Sequence, residues 1–219
     1  MPTVLITGAN RGIGLEFARQ YSIDGWDVIA AARHVSPELN GLQVRLEMLD
    51  LGDAAAVSAF REKIEAPLDL FIANAGTSHP MDTQGSDKAI EWQAMMMVNA
   101  IAPYQLGQAL LPFLGRTRGK AIAISSGMGS IADNGGDWVP YRTSKAALNM
   151  AWNSLAIEAR QLGVTVVALS PGWVKTRMGG PGAQITTEES VSDMRALIEG
   201  LSIGDTGKFL RRDGSELPW

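Results

Sequence analysis

Tyr141 and Lys145 stand four residues apart in Tyr141-Arg142-Thr143-Ser144-Lys145, a spacing that puts a phenol and an ammonium on one face of a helix. An adjacent ammonium favours the phenolate and can lower a tyrosine pKa from its reference of about 10, making an acid/base that works near neutrality. By itself the pair also fits an ordinary exposed helix face. Ser125-Ser126 adds hydroxyls at the end of a short aliphatic run, and the glycine-rich stretch 127–136 leads from them back to Tyr141. A second cluster lies near the start of the chain, where Val4-Leu5-Ile6 runs into Thr7-Gly8-Ala9-Asn10-Arg11-Gly12-Ile13-Gly14. Glycines at a strand-to-helix turn let the backbone approach a pyrophosphate lying on the helix N-terminus. The same spacing also suits a tight turn with close helix packing. Its place directly after the first strand of an alternating pattern favours a dinucleotide.

The elements that must position these groups are legible as an alternation of short aliphatic runs and longer helical segments, the order of stacked βαβ units on a parallel sheet. Strands are expected at Val4-Leu5-Ile6 and at 27–32, 44–49, 68–73, 120–125 and 164–169, with a last short one near 208–210, seven in all. Helices are expected over 12–24, with Ile13, Phe17 and Tyr21 at spacing four and Gly25 as the stop, then over 53–65, 87–98 continuing toward 114, 139–162 and 186–201. Few charges interrupt the strands, as burial on both faces requires. No repeat or linker divides the chain, so one doubly wound α/β domain spanning 1–219 is expected. The glycine-rich stretches 127–136 and 172–182 follow strands, at the sheet end where ligands bind.

Composition narrows the chemistry. The chain has 219 residues, 46% of them hydrophobic, with 19 Lys and Arg against 23 Asp and Glu for a net charge of −4, enough apolar material for a core. The charges are spread along the chain, which argues against a nucleic-acid partner. With no cysteine, thiolate zinc sites, disulfides and a cysteine nucleophile are excluded, and any redox chemistry must come from a cofactor. His34 and His79 lack partners at metal-ligand spacing, so no metal site is expected and both read as loop residues. The N-terminus has no basic stretch and no later apolar run approaches eighteen residues, so a soluble cytoplasmic protein without membrane contact is expected.

Taken together, these motifs resemble the short-chain dehydrogenase/reductase family. Thr7 to Gly14 is similar to its glycine-rich signature, Asn74-Ala75-Gly76 to its strand-four signature, Tyr141 to Lys145 to its Tyr-x-x-x-Lys pair, and Pro171-Gly172-Trp173-Val174-Lys175-Thr176 to its segment after strand six. The likeness is greatest to the branch holding carbonyl reductases and C-factor-like proteins. It implies a single Rossmann-like sheet of about seven strands with helices on both faces. It also implies reduction of an aldehyde or ketone, or oxidation of the alcohol, with NADP(H).

The resemblance also implies roles. Tyr141 would be the proton donor, Ser126 rather than Ser125 would bond the substrate oxygen, and Lys145 would lower the Tyr141 pKa and hold the nicotinamide ribose. Asn99 would hold a water in a proton relay. Gly8, Asn10, Arg11, Gly12, Ile13 and Gly14 would cradle the cofactor, with Asp50 and Leu51 at the adenine, Asn74, Ala75 and Gly76 along its path, and Pro171, Gly172, Val174 and Thr176 at the nicotinamide. Where members that prefer NAD carry an acid after strand two, this chain has Ala32-Arg33, so Arg33 and Arg11 are expected to meet the 2′-phosphate. Asp50 could instead be a turn or capping residue. Strand four reads Ala73-Asn74 where many members double the asparagine, and residues 178–189 with 127–136 would wall the substrate site. Pairing of two copies through 87–114 and 139–162 is a further expectation. The C-factor likeness leaves open a nucleotide-binding signalling protein with little turnover, and the fold also serves isomerases, epimerases and dehydratases.

Overall fold

The computed structural model describes residues 1–78 and 86–219, the side chains of Ser86 and Asp87 excepted, so His79 lies outside the described residues. Seven parallel strands form one sheet: β1 (Thr3–Thr7), β2 (Asp27–Ala32), β3 (Arg45–Met48), β4 (Leu70–Ala73), β5 (Lys120–Ile124), β6 (Thr165–Ser170) and β7 (Phe209–Arg211). Their order is β3-β2-β1-β4-β5-β6-β7. The winding reverses between β1 and β4, which pair from Val4↔Leu70 to Ile6↔Ile72. A crevice opens at the carboxyl ends of the strands beside such a reversal.

Alternation along each strand divides the core in two. Val4, Ile6, Ile72 and Ile124 face α1 (Gly12–Ile23) and α7 (Thr187–Gly200), where they pack on Phe17, Met194 and Ile198. Leu5, Phe71 and Ala121 face the opposite way, toward Leu106 of α5 (Ala102–Gly115) and Trp152 of α6 (Val139–Arg160). Trp152 is 1% exposed, and its indole donates to the Ala121 carbonyl at 3.3 Å. The edge strand β3 departs from the expectation of burial on both faces, since Arg45, Leu46 and Met48 are exposed.

The expected boundaries shift where local chemistry intervenes. The helix expected over 53–65 breaks into α3 (Ala54–Ala59), capped by the Asp53 carboxylate, and a 3-10 turn over Phe60–Lys63. The long helix expected from 87 toward 114 is α4 (Ser86–Met96), a π-helical turn over Met97–Ile101, and α5. α2 (Pro37–Asn40), capped by Ser36, is too short to leave a periodic signal.

Trp152 fills the space between β4, β5 and α5, so Trp152→Ala should lower unfolding free energy by about 3–5 kcal/mol. Urea denaturation of both proteins measures this, and a loss below about 1 kcal/mol would contradict the packing described.

Candidate active site

At the sheet reversal the end of β1 is stitched to the end of β4. The Thr7 hydroxyl accepts from the backbone N–H of Asn74 and Ala75, both at 3.2 Å. The Asn74 amide donates to the carbonyls of Thr7 at 3.0 Å and Gly8 at 3.3 Å. This stitch leaves no room for side chains. Gly8 has φ +66° and a Cβ there would lie 2.8 Å from the Ala75 Cα, while a Cβ on Gly14 would collide with the Gly8 carbonyl and the Asn74 amide. The chain therefore turns tightly into α1 and brings its N-terminus to the crevice.

That N-terminus is open. Arg11 occupies the N-cap and makes no side-chain capping bond, whereas Asp53 caps α3 and Thr186 caps α7. Uncapped N–H groups and the helix dipole form a binding site for an anion, and the glycines form the cradle that a pyrophosphate would fill. A dinucleotide therefore fits the residues present. Arg11 and Arg33 are both exposed at this end, Arg33 directly after β2.

The second half of the site hangs from β5 and α6. Ser125 is buried and donates to the Asn149 side-chain Oδ1 at 2.6 Å, so it belongs to the core. Ser126 lies two residues beyond β5, accepts from the Met128 N–H at 3.2 Å, and interacts with the Tyr141 phenol. Trp138, in the left-handed region at φ 52°, starts α6 so that Tyr141 falls in its first turn. One turn on, Lys145 is 4% exposed, its ammonium donates to the Ile124 carbonyl at 2.8 Å and lies 5.9 Å from the centre of the Tyr141 ring.

Burial dominates the ionisation of both groups. It pushes the Tyr141 phenol up to about 12, with the Ser126 hydrogen bond working the other way, and it brings the Lys145 ammonium down to about 8. Burial, rather than the charge of Lys145, is thus the largest influence on the Tyr141 phenol. Desolvation disfavours the charged form of each group, the phenolate and the ammonium.

Asn99 sits in the π-helical turn, fully buried. Its amide donates to the Thr77 carbonyl at 2.8 Å and the Ser144 hydroxyl at 2.9 Å, and its oxygen accepts the Thr77 N–H at 2.8 Å. Ser144 in turn donates to the Tyr141 carbonyl. The Asn99 side chain therefore ties the end of β4 to α6, and Thr77 and Ser144 are partners that spacing did not reveal.

The remaining expected residues spread along the crevice. Asp50 is exposed and accepts the Gly52 N–H at 2.8 Å, a turn role, and Leu51 is buried. Pro171 and Val174 are buried, and Thr176 packs against Gly12, where a Cβ would meet its methyl at 3.3 Å. Residues 127–136 are less free than their glycines imply. A 3-10 turn covers Gly127–Gly129, and the N–H groups of Ile131 and Ala132 both donate to the Trp219 carbonyl at 3.1 Å. Two concavities, of about 410 Å³ on the outer face of α4 and about 600 Å³ at the amino ends of the strands, lie away from Ser126, Tyr141 and Lys145. Among the described residues no helix is long and apolar enough to cross a membrane.

Known proteins resemble this chain in sequence and fold. Residues 2–184 match the family described as short chain dehydrogenase. The chain is 39% identical over 156 residues to the C-signal protein of Myxococcus xanthus, covering 70% of this chain and 93% of that one. A carbonyl reductase from chicken fatty liver, solved with NADPH bound, superposes with a TM-score of 0.89 at 33% identity over 100% of this chain and 99% of its own. The carbonyl reductase Sniffer of D. melanogaster gives a TM-score of 0.90 at 28% identity, with both chains covered completely.

The depressed Lys145 pKa makes stability depend on pH. The unfolded lysine, with its ordinary pKa near 10.5, holds its proton where the folded one at about 8 has released it. Unfolding therefore takes up a proton in this window and stability rises with pH. Between about pH 8 and pH 10 the wild-type chain should gain about 2 kcal/mol relative to Lys145→Met. Parallel denaturation curves across that range would expose an error as a constant difference.

Proposed function

The chain belongs to the short-chain dehydrogenase/reductase family of oxidoreductases, and on that premise we propose that it reduces an aldehyde or ketone with NADPH, or oxidises the corresponding alcohol with NADP⁺. The observation that carries this reading is the convergence of Ser126, Tyr141 and buried Lys145 at the carboxyl end of the sheet, beside an uncapped helix shaped for a dinucleotide. The likeness to an NADPH-bound carbonyl reductase supports it.

When bound, the cofactor supplies hydride chemistry at its nicotinamide. The protein's own residues do the rest. The glycine turn and the N-terminus of α1 hold the pyrophosphate, Arg11 and Arg33 receive the 2′-phosphate, and Val174 and Thr176 orient the nicotinamide end. The Ser126 hydroxyl donates a hydrogen bond to the substrate oxygen and fixes it beside the phenol. Tyr141 donates its proton to that oxygen in reduction and accepts one in oxidation. The Lys145 ammonium lies next to the negative charge that develops there, where low dielectric strengthens its effect. Trp138, Trp173 and Met178 are large apolar side chains left exposed in the adjoining segments, and they favour an apolar carbonyl compound.

The identity to the C-signal protein favours a second reading, a nucleotide-binding signalling protein in which occupancy matters more than turnover. The two readings separate on one variant. Tyr141→Phe should abolish carbonyl reduction, followed at the reduced-nicotinamide absorbance across aldehydes, ketones and quinones, while NADPH binding stays within about threefold of wild type. Undiminished turnover would remove the proposed mechanism, and no turnover by the wild-type chain on any of these classes would favour the signalling reading.

Cofactor choice has its own test. A charge-assisted hydrogen bond contributes about 1.5–3 kcal/mol, so Arg33→Ala should weaken NADPH roughly ten- to a hundredfold and hardly change NADH. Tighter NADH than NADPH binding by the wild-type chain would refute the assignment.

A further inference from the structure

The segment after β6 leans on the glycine turn. Thr176 packs against Gly12, the first residue of α1, and the chain beyond it is held in a compact turn. The Gly179 N–H donates to the Thr176 hydroxyl and the Gly180 N–H to the Thr176 carbonyl, both at 3.0 Å. The Lys175 N–H donates to the Ile185 carbonyl at 2.8 Å, beside the bridge between Val174 and Ile185. Arg177 lies inside this turn, exposed to solvent, and therefore next to the open N-terminus of α1.

Its charge reaches Arg11. Burial is the largest influence lowering the Arg11 pKa, followed by the positive charge of Arg177 and then that of Arg33. Arg11 thus has two other arginines within electrostatic reach, Arg33 directly after β2 and Arg177 in the turn after β6. Elsewhere in the chain Arg142, Arg195 and Arg212 each hold a carboxylate. Among the described residues, Arg11, Arg33 and Arg177 form no ion pair with each other's neighbours or any other acid. Three unpaired guanidinium groups around an uncapped helix end repel one another until an anion arrives, and a polyphosphate converts that repulsion into attraction.

Position divides their work. Arg33 lies at the β2 side, where the adenine ribose and its 2′-phosphate are read. Arg177 directly follows Thr176, which packs on Gly12 at the first turn of α1, where helix N–H groups would receive the diphosphate. We propose that Arg177 is a pyrophosphate-binding residue that clamps the diphosphate common to NADP(H) and NAD(H). The assignment rests on the dinucleotide reading above. It gives the cluster two functions: Arg33 discriminates between cofactors, and Arg177 raises affinity for both. Because Trp173 and Met178 belong to the same segment, the clamp also holds one wall of the substrate side in place when cofactor is bound.

Titration calorimetry at fixed salt with NADPH, NADH, ADP and adenosine 2′-monophosphate tests this on the full chain. Arg177→Ala should weaken NADPH, NADH and ADP alike, by roughly ten- to a hundredfold, and leave adenosine 2′-monophosphate unchanged. Arg177→Lys should recover part of the loss, since a point charge replaces the fork. Unchanged binding of NADPH, NADH and ADP by Arg177→Ala would overturn the proposal. So would a loss confined to NADPH and adenosine 2′-monophosphate, which would place Arg177 at the 2′-phosphate. Failure of the wild-type chain to bind either dinucleotide would instead overturn the cofactor reading itself, and the clamp with it.

Discussion

Lys145, 4% exposed, carries its ammonium out of water, and the crevice is arranged around it. Removing an ammonium from water is unfavourable unless acceptors replace the water. The Ile124 carbonyl at 2.8 Å supplies one, at the strand end where the β5 ladder stops. The surroundings must then be thin enough for the long side chain to reach that carbonyl. A Cβ on Gly76 would lie 3.7 Å from the ammonium nitrogen, and one on Gly129 would lie 3.0 Å from the Lys145 Cβ. Gly129 after β5 is therefore where a side chain would crowd the lysine, while Gly76 after β4 lies in ordinary contact with its ammonium. Incomplete solvation is what brings its pKa down to about 8, and a poorly solvated cation responds strongly to negative charge forming on the neighbouring phenol or substrate oxygen.

Holding such a cation requires a rigid frame. α6 carries both Tyr141 and Lys145, and it is fixed at two levels. Trp152 anchors its middle against β4 and β5 through packing and the bond to Ala121. Near its start, Asn99 joins Ser144 to the Thr77 backbone. On the other side of the reversal, Thr7 and Asn74 lock β1 to β4. The two locks share β4, so the phosphate end and the proton-transfer end of the crevice are referenced to one central strand.

Much of this was legible in the sequence because it is local. The spacing of Tyr141 and Lys145 along one helix, the glycines following a strand and the aliphatic runs of β1, β2, β5 and β6 are periodic or contiguous signals. What was not legible depends on residues far apart in the chain. Asn99 finds its partners 22 and 45 residues away, and the π-helical turn that presents it has no local signature. The direction of the Tyr141 shift depends on burial, which spacing does not encode. Arg177 was missed for the same reason: its neighbour Thr176 meets Gly12 only after six strands have assembled. Asp50 shows the converse, a residue whose type suits an adenine contact and whose carboxylate serves the Gly52 turn.

The two ends of the crevice solve opposite electrostatic problems, and the fold keeps them apart for that reason. At the glycine turn the charges are exposed arginines in water, where each contributes little alone, is screened by salt and becomes effective only when several act on one multivalent anion. At Tyr141 and Lys145 the charge is single and desolvated, where one ammonium has a large effect because water cannot screen it. Exchanging the two strategies would fail at both places. A buried arginine cluster without phosphate would cost more than the sheet could offset, and an exposed lysine beside Tyr141 would be too well hydrated to stabilise a transient oxyanion. The parallel sheet permits the separation because all its strands end on one side, so that β1 and β2 deliver their loops to solvent while β4 and β5 deliver theirs beneath α6.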